Sequence, residues 1–370
     1  MTTPIHCTNC SRPYPAESLP YRCPYCGGIY DYTAPPAFDP PQVDPTLPGI
    51  WRYRHTFDLP IDAPLISLGE GNTPLIWSQV TGQEVAFKLE FLNPTGSFKD
   101  RGTAPLISFL LQRGVTAAVE DSSGNAGASF AAYAAAAGLQ ARIFVPDYAS
   151  GPKRAQIAAY GAEIVRILGP RSNAAEAVTR AAGQGAVYAS HAYMPHDGRG
   201  YATIAYELVE QLGRCPGTVV APVGQGSLLL GITRGFQALK AAGVIECLPL
   251  LVGVQAARCA PLWALFTNGP VGLRLVSEGD TIAEGVRIRY PLRGDALLQM
   301  VLESNGFFVA VDEGAILPGR DQLARRGLFV EPTSAIVWNA LEQILSDPLS
   351  DPNTGPVVAI LTGSGLKSAS

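Results

Sequence analysis

The amino-acid sequence predicts an α/β fold in which parallel sheets are covered by helices on both faces. From about residue 85 onward, short β-branched runs alternate with longer alanine-rich runs of helical length. Strands separated in this way pair in parallel, and such sheets bind ligands beyond the carboxyl ends of their strands. A cysteine-rich segment ahead of this pattern predicts a separate small domain. The runs that carry the strand prediction are 141–146, 163–168, 218–223, 250–254 and 357–361.

The composition and charge of the chain argue against nucleic-acid binding and membrane insertion. A chain of 370 residues with 47% hydrophobic content can bury one large core and is long enough for two. Its formal charge of -4 gives no basic surface for nucleic acid and no polybasic membrane anchor, so small molecules are the expected partners. No apolar run approaches the roughly 18 residues of a membrane helix, and the polar N-terminus is unlike a signal peptide. We therefore expect a cytoplasmic location, and the odd number of seven cysteines argues against a disulfide framework.

Two Cys-x2-Cys pairs lie near the N-terminus. Cys7 and Cys10 form the first pair and Cys23 and Cys26 the second. Four thiolates can surround one Zn²⁺ tetrahedrally, and a site filled by four protein sulfurs leaves no position for water or substrate. The spacing therefore predicts a structural zinc ribbon over residues 1–30 that folds with its metal. Four free thiols are the alternative.

A proline-dense stretch at residues 31–50 separates the predicted ribbon from the main body at 51–370. Proline removes a backbone donor and fixes φ, so this stretch cannot form a helix or a central strand. It is predicted to be a semi-rigid linker. The aromatic segment 51–54 that follows is expected to form a short helix or a packing segment of the core.

Lys99 lies in the run Asn-Pro-Thr-Gly-Ser-Phe-Lys-Asp-Arg-Gly at residues 93–102. Flexible backbone residues and a hydroxyl precede this lysine, and a helix-like segment follows it. Its amine is then held at the end of an element where a cofactor can reach it, as a Schiff-base lysine is. A solvent-exposed lysine at an ordinary helix start is the alternative interpretation.

A loop of small residues at 121–127 opens a second helix-like segment. Its Ser122, Ser123 and Gly124 leave backbone N–H groups pointing outward, and the helix dipole adds positive potential, so the loop suits a carboxylate. Asn125 adds a side-chain amide that can hydrogen-bond an oxygen on a cofactor ring. Taken alone, the same string is also typical of a turn and helix cap.

Two further candidate loops follow buried strands. Gly224, Gln225, Gly226 and Ser227 form a glycine-bracketed loop entering a helix, an arrangement that cradles a phosphate with backbone amides and a hydroxyl. The third glycine of a dinucleotide fingerprint and the Lys-Ser/Thr pair of a nucleotide P-loop are lacking, so a single phosphate is expected. Thr362 follows the last predicted strand, where its hydroxyl can face a heteroaromatic nitrogen. Each segment is also compatible with an ordinary strand and turn.

Together, the lysine, the carboxylate loop, the phosphate loop and the strand-end hydroxyl describe a site for pyridoxal phosphate and an amino-acid substrate. Five strings also resemble motifs of the threonine synthase family, within the tryptophan synthase β-like, fold type II pyridoxal phosphate enzymes. The resemblance runs from about residue 51 to 367 in matching order. It implies two parallel or mixed-sheet α/β domains, with about 95–205 as a smaller mobile subdomain. Some family members also carry N-terminal knuckles of this kind. The strings are 67–75, 93–102, 122–127, 331–335 and 361–367.

The resemblance also implies roles for individual residues. Lys99 would be the Schiff-base lysine and the group that moves protons at the substrate carbons. Asn125 would bind the phenolic oxygen of pyridoxal 5'-phosphate, residues 224–227 its phosphate and Thr362 its pyridine nitrogen. Residues 122–124 would bind the substrate carboxylate. The implied lyase converts O-phosphohomoserine and water to threonine and phosphate, in threonine biosynthesis, and is expected to be a homodimer.

The segment at 190–204 departs from the family pattern, which carries a Glu-Gly-Gln-Lys-Thr-like string there that helps to bind the substrate's phosphate. This chain instead reads Ser-His-Ala-Tyr-Met-Pro-His-Asp-Gly-Arg-Gly-Tyr-Ala-Thr-Ile. Lys153, Arg154 and Arg199 can still supply cationic contacts to a phosphate, although each is also typical of a solvated surface charge. The two histidines of the segment are candidates to assist a leaving group.

Two other readings remain open on the residues alone. One is β-elimination or β-replacement on serine, threonine or an activated serine, as in a serine/threonine dehydratase or a cysteine or cysteate synthase. The other is a binding protein built on a retired enzyme scaffold. Retention of both Lys99 and the 224–227 loop argues against that second reading.

Overall fold

The computed structural model describes residues 4–147, 151–169, 171–346 and 355–368. The chain divides into two compact units, one of Met1–Gly71 and Asn93–Gly200 and the other of Asn72–Leu92 and Tyr201–Ser368. The strands within the described residues are β1 (Ile5–Cys7), β2 (Tyr30–Tyr32), β3 (Leu75–Val80), β4 (Gln83–Lys88), β5 (Ala117–Glu120), β6 (Gln140–Pro146), β7 (Glu163–Ile167), β8 (Thr218–Pro222), β9 (Leu250–Ala256), β10 (Phe307–Val311) and β11 (Val357–Ile360). The α-helices are α1 (Lys99–Gln112), α2 (Asn125–Ala136), α3 (Pro152–Ala159), α4 (Arg171–Gly183), α5 (Asp197–Leu212), α6 (Ser227–Ala241), α7 (Pro261–Asn268), α8 (Gly294–Glu303), α9 (Glu313–Ala324) and α10 (Pro332–Ser346).

The first unit is built on a three-stranded parallel sheet with strand order β5-β6-β7. Side chains of the central strand alternate between two cores, as a strand covered on both faces requires. Ile143 and Val145 pack with the alanine-rich helix α2, whereas Phe144 packs with Val178 of α4. The sheet therefore has helices on both faces, which confirms the predicted α/β class.

The N-terminal ribbon of this unit pairs β1 with β2 in antiparallel fashion. Strand β2 crosses the predicted boundary between the ribbon at 1–30 and the linker at 31–50, and Tyr30 and Tyr32 are both buried in the ribbon's own core. The proline-rich stretch after it contains one short 3-10 turn at Pro40–Gln42. A 3-10 helix at Gly49–Thr56 follows, and its fully buried Trp51 joins the core of the first unit.

The second unit contains a six-stranded sheet with strand order β10-β9-β8-β11-β4-β3. All neighbours are parallel except β3 and β4, which form an antiparallel hairpin, so the sheet is mixed. The hairpin turn places Thr81 and Gly82 at φ +49° and +83°, the left-handed backbone that a two-residue turn uses. Helix α10 packs against β8, β9 and β10, where Trp338 and Ile336 meet Val252 and other apolar residues.

All five strands predicted from β-branched runs are confirmed, with ends within two residues of those predicted. The runs of β8, β9 and β11 were readable because these strands are buried almost throughout and are nearly continuously apolar. In the described part of the chain, no helix has the length and apolar character needed to cross a membrane.

Candidate active site

Lys99 is the first residue of α1 and follows a tightly bonded turn. The Asp100 carboxylate accepts hydrogen bonds from the backbone N–H and the hydroxyl of Thr95, at 2.7 and 2.6 Å. Gly96 lies between them at φ +82°, a backbone conformation that glycine adopts without strain. This closed turn fixes the start of α1 and with it the position of Lys99.

The surroundings of Lys99 favour an uncharged amine. Burial lowers the pKa of Lys99, and the negative charges of Asp197 and Glu120 oppose that shift. A lysine with a lowered pKa is a better nucleophile and a better proton acceptor near neutral pH than a solvated one. The environment is therefore suited to the role predicted from the sequence.

The small-residue loop lies between β5 and α2, at the carboxyl edge of the sheet in the first unit. Ser122 Oγ accepts the backbone N–H of Gly124 at 3.2 Å, and the Ser122 N–H donates to Glu120 Oε2. Gly127 lets the helix approach the loop, because a Cβ there would lie 1.8 Å from the backbone oxygen of Ser122. The predicted loop residues 122–124 and Asn125 thus lie at the N-terminus of a 12-residue helix, where the dipole favours an anion.

The structure adds a pair of residues in the first unit that sequence reasoning did not bring together. Glu120 is almost fully buried at the end of β5, and its Oε1 lies 2.5 Å from His191 Nδ1. The neighbouring Asp121 accepts a hydrogen bond from the Tyr188 hydroxyl at 2.7 Å. A carboxylate at the carboxyl end of a buried strand was the signal available in the sequence.

The glycine-bracketed loop of the second unit joins β8 to α6. A Cβ on Gly224 would lie 2.5 Å from the backbone oxygen of Gly285, and one on Gly226 would lie 2.9 Å from Leu297. Gly226 also has φ +86°. Local packing therefore requires glycine at 224, and the left-handed backbone favours glycine at 226. The Gln225 side chain accepts the backbone N–H of Leu292 at 3.1 Å, so this side chain has a structural partner.

Thr362 follows β11, which pairs directly with β8 in the sheet. Its backbone N–H donates to Ser334 Oγ at 2.9 Å. Its Oγ1 is buried and has no hydrogen-bond partner among the described residues. Because buried polar atoms are almost always satisfied, this hydroxyl is suited to a polar ligand atom. The second unit therefore places Thr362 and the 224–227 loop at the carboxyl ends of neighbouring strands.

The four N-terminal cysteines converge in the ribbon. Their sulfur atoms all lie within 4.8 Å of one another. Cys7 and Cys26 have a sulfur separation of 3.4 Å, and Cys10 and Cys23 one of 3.7 Å. Two sulfurs on one tetrahedral Zn²⁺, each at about 2.3 Å from the metal, stand about 3.8 Å apart. The arrangement is compatible with the predicted zinc site.

Comparison with known proteins gives several matches of high coverage. A threonine synthase from Methanocaldococcus jannaschii is 32% identical over 98% of this chain and 92% of its own length. One from Mycobacterium leprae is 36% identical over 86% of this chain and 88% of its own length. These matches cover most of each curated relative.

Solved structures show the same fold. A threonine deaminase from T.th. aligns with TM-score 0.64 and 29% identity, covering 79% of this chain and 92% of that one. A maize serine racemase aligns with TM-score 0.68 and 22% identity, covering 79% and 88%. These neighbours are fold type II enzymes, as the sequence predicted for this chain.

The family model described as pyridoxal-phosphate dependent enzyme matches residues 66–363. That span includes Lys99, both predicted binding loops and Thr362. The chain therefore belongs to the family of pyridoxal-phosphate dependent enzymes.

Proposed function

We propose that this chain is a pyridoxal phosphate-dependent lyase of the threonine synthase type, which converts O-phosphohomoserine and water to threonine and phosphate. The observation that carries the proposal is the similarity to proteins named threonine synthase over nearly the whole chain, the N-terminal ribbon included. The environment of Lys99 supports it, because the reaction needs a lysine that is uncharged for part of the time.

The residues present fit pyridoxal 5'-phosphate. The buried hydroxyl of Thr362, which has no partner among the described residues, would bind the ring nitrogen. Residues 224–227 would bind the phosphate with backbone amides at the N-terminus of α6, and Asn125 would hydrogen-bond the phenolic oxygen. Lys99 would anchor the cofactor. Pyridoxal phosphate, when bound, withdraws electrons from the substrate's carbon skeleton and makes its hydrogens removable.

The chain's own residues would then bind the substrate and transfer its protons. The loop at 122–124 would bind the substrate carboxylate and so orient the Cα–H bond. Lys99 would take protons from Cα and Cβ and return them at Cγ and Cα, so that Cγ becomes the methyl group of threonine. The hydroxyl of Thr362 is neutral and does not keep the ring nitrogen protonated, so electron withdrawal is moderate and elimination is favoured over transamination.

Phosphate release from O-phosphohomoserine tests the proposal. The purified protein loaded with pyridoxal phosphate is expected to release phosphate and form threonine in equal amounts. The Lys99→Ala variant is the control, and it should lose both turnover and the visible absorption of the bound cofactor. Release no faster than in this variant rejects the proposed reaction.

A second candidate function is β-elimination on serine or threonine. The similarity to a threonine deaminase at 29% identity favours it, as does the divergent segment at 190–204. Ammonia and a keto acid formed from threonine, at a rate exceeding phosphate release from O-phosphohomoserine, would favour this second function over the first.

We further propose that Cys7, Cys10, Cys23 and Cys26 bind one structural Zn²⁺. Metal analysis of the purified protein should find one zinc per chain, and replacement of Cys10 by serine should remove it. The smaller mobile subdomain at about 95–205 remains a prediction, as do the cytoplasmic location and the homodimer. Light scattering of the cofactor-loaded protein tests the oligomeric state.

A further inference from the structure

The Glu120–His191 pair lies beside the residues already assigned. Glu120 Oε2 accepts the N–H of Ser122, the first residue of the carboxylate loop, while its Oε1 contacts His191 Nδ1. The charge of Glu120 also acts on Lys99. One buried carboxylate thus links the loop, the histidine and the surroundings of the lysine within the first unit.

The geometry leaves one ring nitrogen of His191 available. Nδ1 faces Glu120, so in the neutral ring the proton is expected on Nδ1 and the lone pair on Nε2. No hydrogen bond to Nε2 is found in the part of the chain that the structure describes, and the side chain keeps 18% of its surface exposed. A carboxylate that holds Nδ1 of a partly exposed imidazole and leaves Nε2 to accept a proton is the arrangement of a histidine that transfers protons.

A hydrogen bond accounts for the contact between Glu120 and His191 better than a shared metal ion does. The ligand atoms of Glu120, Asp121 and His191 lie within 4.8 Å of one another. Two ligand atoms on one ion, each about 2.1 Å from it, stand about 3 Å apart at right angles. The 2.5 Å between Oε1 and Nδ1 is instead a short hydrogen-bonded distance. Both carboxylates already accept hydrogen bonds, from Ser122 and Tyr188.

We propose that His191 is a second proton-transfer residue of this site, which activates the water that adds to the substrate, and that Glu120 is its positioning residue. This inference rests on the proposed function. In the proposed reaction Lys99 transfers the proton at Cα. The substrate carboxylate, which would bind at 122–124, is attached to the same carbon. Cβ is one bond from Cα, so a base beside that loop is suited to the addition at Cβ.

His191 and Lys99 would divide the proton transfers of the water addition between them. After phosphate has left and Lys99 has passed the proton from Cβ to Cγ, water adds across the unsaturated Cα–Cβ pair: its oxygen bonds to Cβ and one of its protons passes to His191 Nε2. The electron pair of the double bond takes a proton from Lys99 at Cα. His191 then releases its proton to solvent, and Lys99 is neutral again because it has given back the proton it took from Cα, so both residues end as they began.

Product partitioning tests this role. Without its base the water adds slowly, and the unsaturated product is expected to leave and hydrolyse to 2-oxobutanoate and ammonia. In His191→Gln, the ratio of threonine to 2-oxobutanoate should fall about 100-fold, within the range of general acid–base effects. Phosphate release should stay within a few-fold of the wild type. A merely structural role would lower both products together and leave their ratio unchanged.

Matched variants complete the experiment. Glu120→Gln should shift the ratio in the same direction by a smaller factor, about 10-fold, because the amide can accept only one of the two hydrogen bonds from Ser122 N–H and His191 Nδ1 and holds the ring tautomer less well. His55→Gln removes an imidazole bonded to the Asp39 N–H and should leave the ratio unchanged. The visible absorption of the bound cofactor verifies that each variant is folded. If His191→Gln does not show this absorption, His191→Asn is tested in its place.

The outcomes separate the two proposals. If the wild type releases no phosphate, the proposed function fails. If the wild type forms threonine and His191→Gln keeps the wild-type product ratio, the inference about His191 fails alone. A second metal ion per chain that His191→Gln loses would also overturn it, in favour of a metal site.

Discussion

Thr362 carries the buried hydroxyl that has no partner among the described residues. Replacing it by valine keeps the shape and removes a buried polar atom, so the cofactor-free protein should unfold at an equal or higher urea concentration. Affinity for pyridoxal phosphate should fall about 5-fold, since a net hydrogen bond contributes about 1 kcal/mol. Urea titration and cofactor titration, both followed by fluorescence, measure the two effects.

Ser334→Ala is the matched control for this substitution. Ser334 Oγ accepts the backbone N–H of Thr362 at 2.9 Å, so its loss leaves a buried donor unsatisfied. We expect the cofactor-free Ser334→Ala protein to lose about 1–3 kcal/mol of unfolding free energy. Undiminished cofactor affinity in Thr362→Val would show that the hydroxyl has another role.

Individual candidate residues can be proposed from the sequence where the signal is local. Lys99 and the loop at 122–124 each stand in short strings whose residue types and order suit their chemistry. The pairing of Glu120 with His191 joins residues 71 positions apart. Nothing in the spacing of two such residues fixes a distance between them, because the intervening chain includes two strands and three helices.

At the scale of elements, the junction of β5 and α2 depends on Gly127. A Cβ at this position would lie 1.8 Å from the backbone oxygen of Ser122, so Gly127→Ala must displace the loop. Overpacking of this kind costs about 1–3 kcal/mol of unfolding free energy, and KM for the substrate should rise as the carboxylate loop moves. Gly183→Ala, at the end of α4 where a Cβ meets open space, is expected to leave both quantities unchanged.

The ribbon contacts the segment that contains His191. Arg22 donates to the Tyr193 hydroxyl at 2.6 Å, and the Tyr21 and Tyr188 rings lie 5.1 Å apart. Both ribbon residues directly precede Cys23, so loss of the proposed zinc should loosen these contacts. Cys10→Ser is therefore expected to raise KM for O-phosphohomoserine several-fold while the visible spectrum of the bound cofactor persists.

Cys215→Ser, which changes a cysteine outside the ribbon, is the control for the zinc experiment. Metal analysis must show that Cys10→Ser has lost its zinc and Cys215→Ser has not. Wild-type KM in a zinc-free protein would mean that the ribbon does not support the segment at 188–193.

Strands were easier to predict than their neighbours in the sheet. The run at 357–361 reads as a buried strand because it is apolar and β-branched. That β11 lies between β8 and β4 is a property of long-range packing, and hydrophobic periodicity carries no information about it. The antiparallel β3–β4 hairpin likewise emerged only from the structure.

At the scale of the whole molecule, the second unit is discontinuous in sequence. The chain enters it for Asn72–Leu92, returns to the first unit and enters it again at Tyr201. Strand β4, which belongs to the 72–92 segment, pairs with β11 near the C-terminus. A fragment beginning at Tyr201 would therefore expose the edge of β11 and is expected to aggregate rather than fold.

A buried ion pair joins the two sequence segments of the second unit, 72–92 and 201–368. Lys88, at the end of β4, donates to Glu207 of α5 at 2.7 Å, and both side chains are almost wholly buried. Its amine also donates to the backbone oxygen of Thr73 and to Gln211. Lys88→Met leaves the Glu207 carboxylate buried without its cation, so it should cost about 3–5 kcal/mol of unfolding free energy.

The double variant Lys88→Met, Glu207→Gln separates the charge from the packing. It removes the unpaired carboxylate and should recover most of the lost stability, because replacing both partners of a buried pair is often close to neutral. Urea unfolding of the three proteins measures the coupling. If the single and double variants are equally destabilised, the loss comes from packing and from the other partners of Lys88, and the ion pair does not hold the 72–92 segment in the second unit.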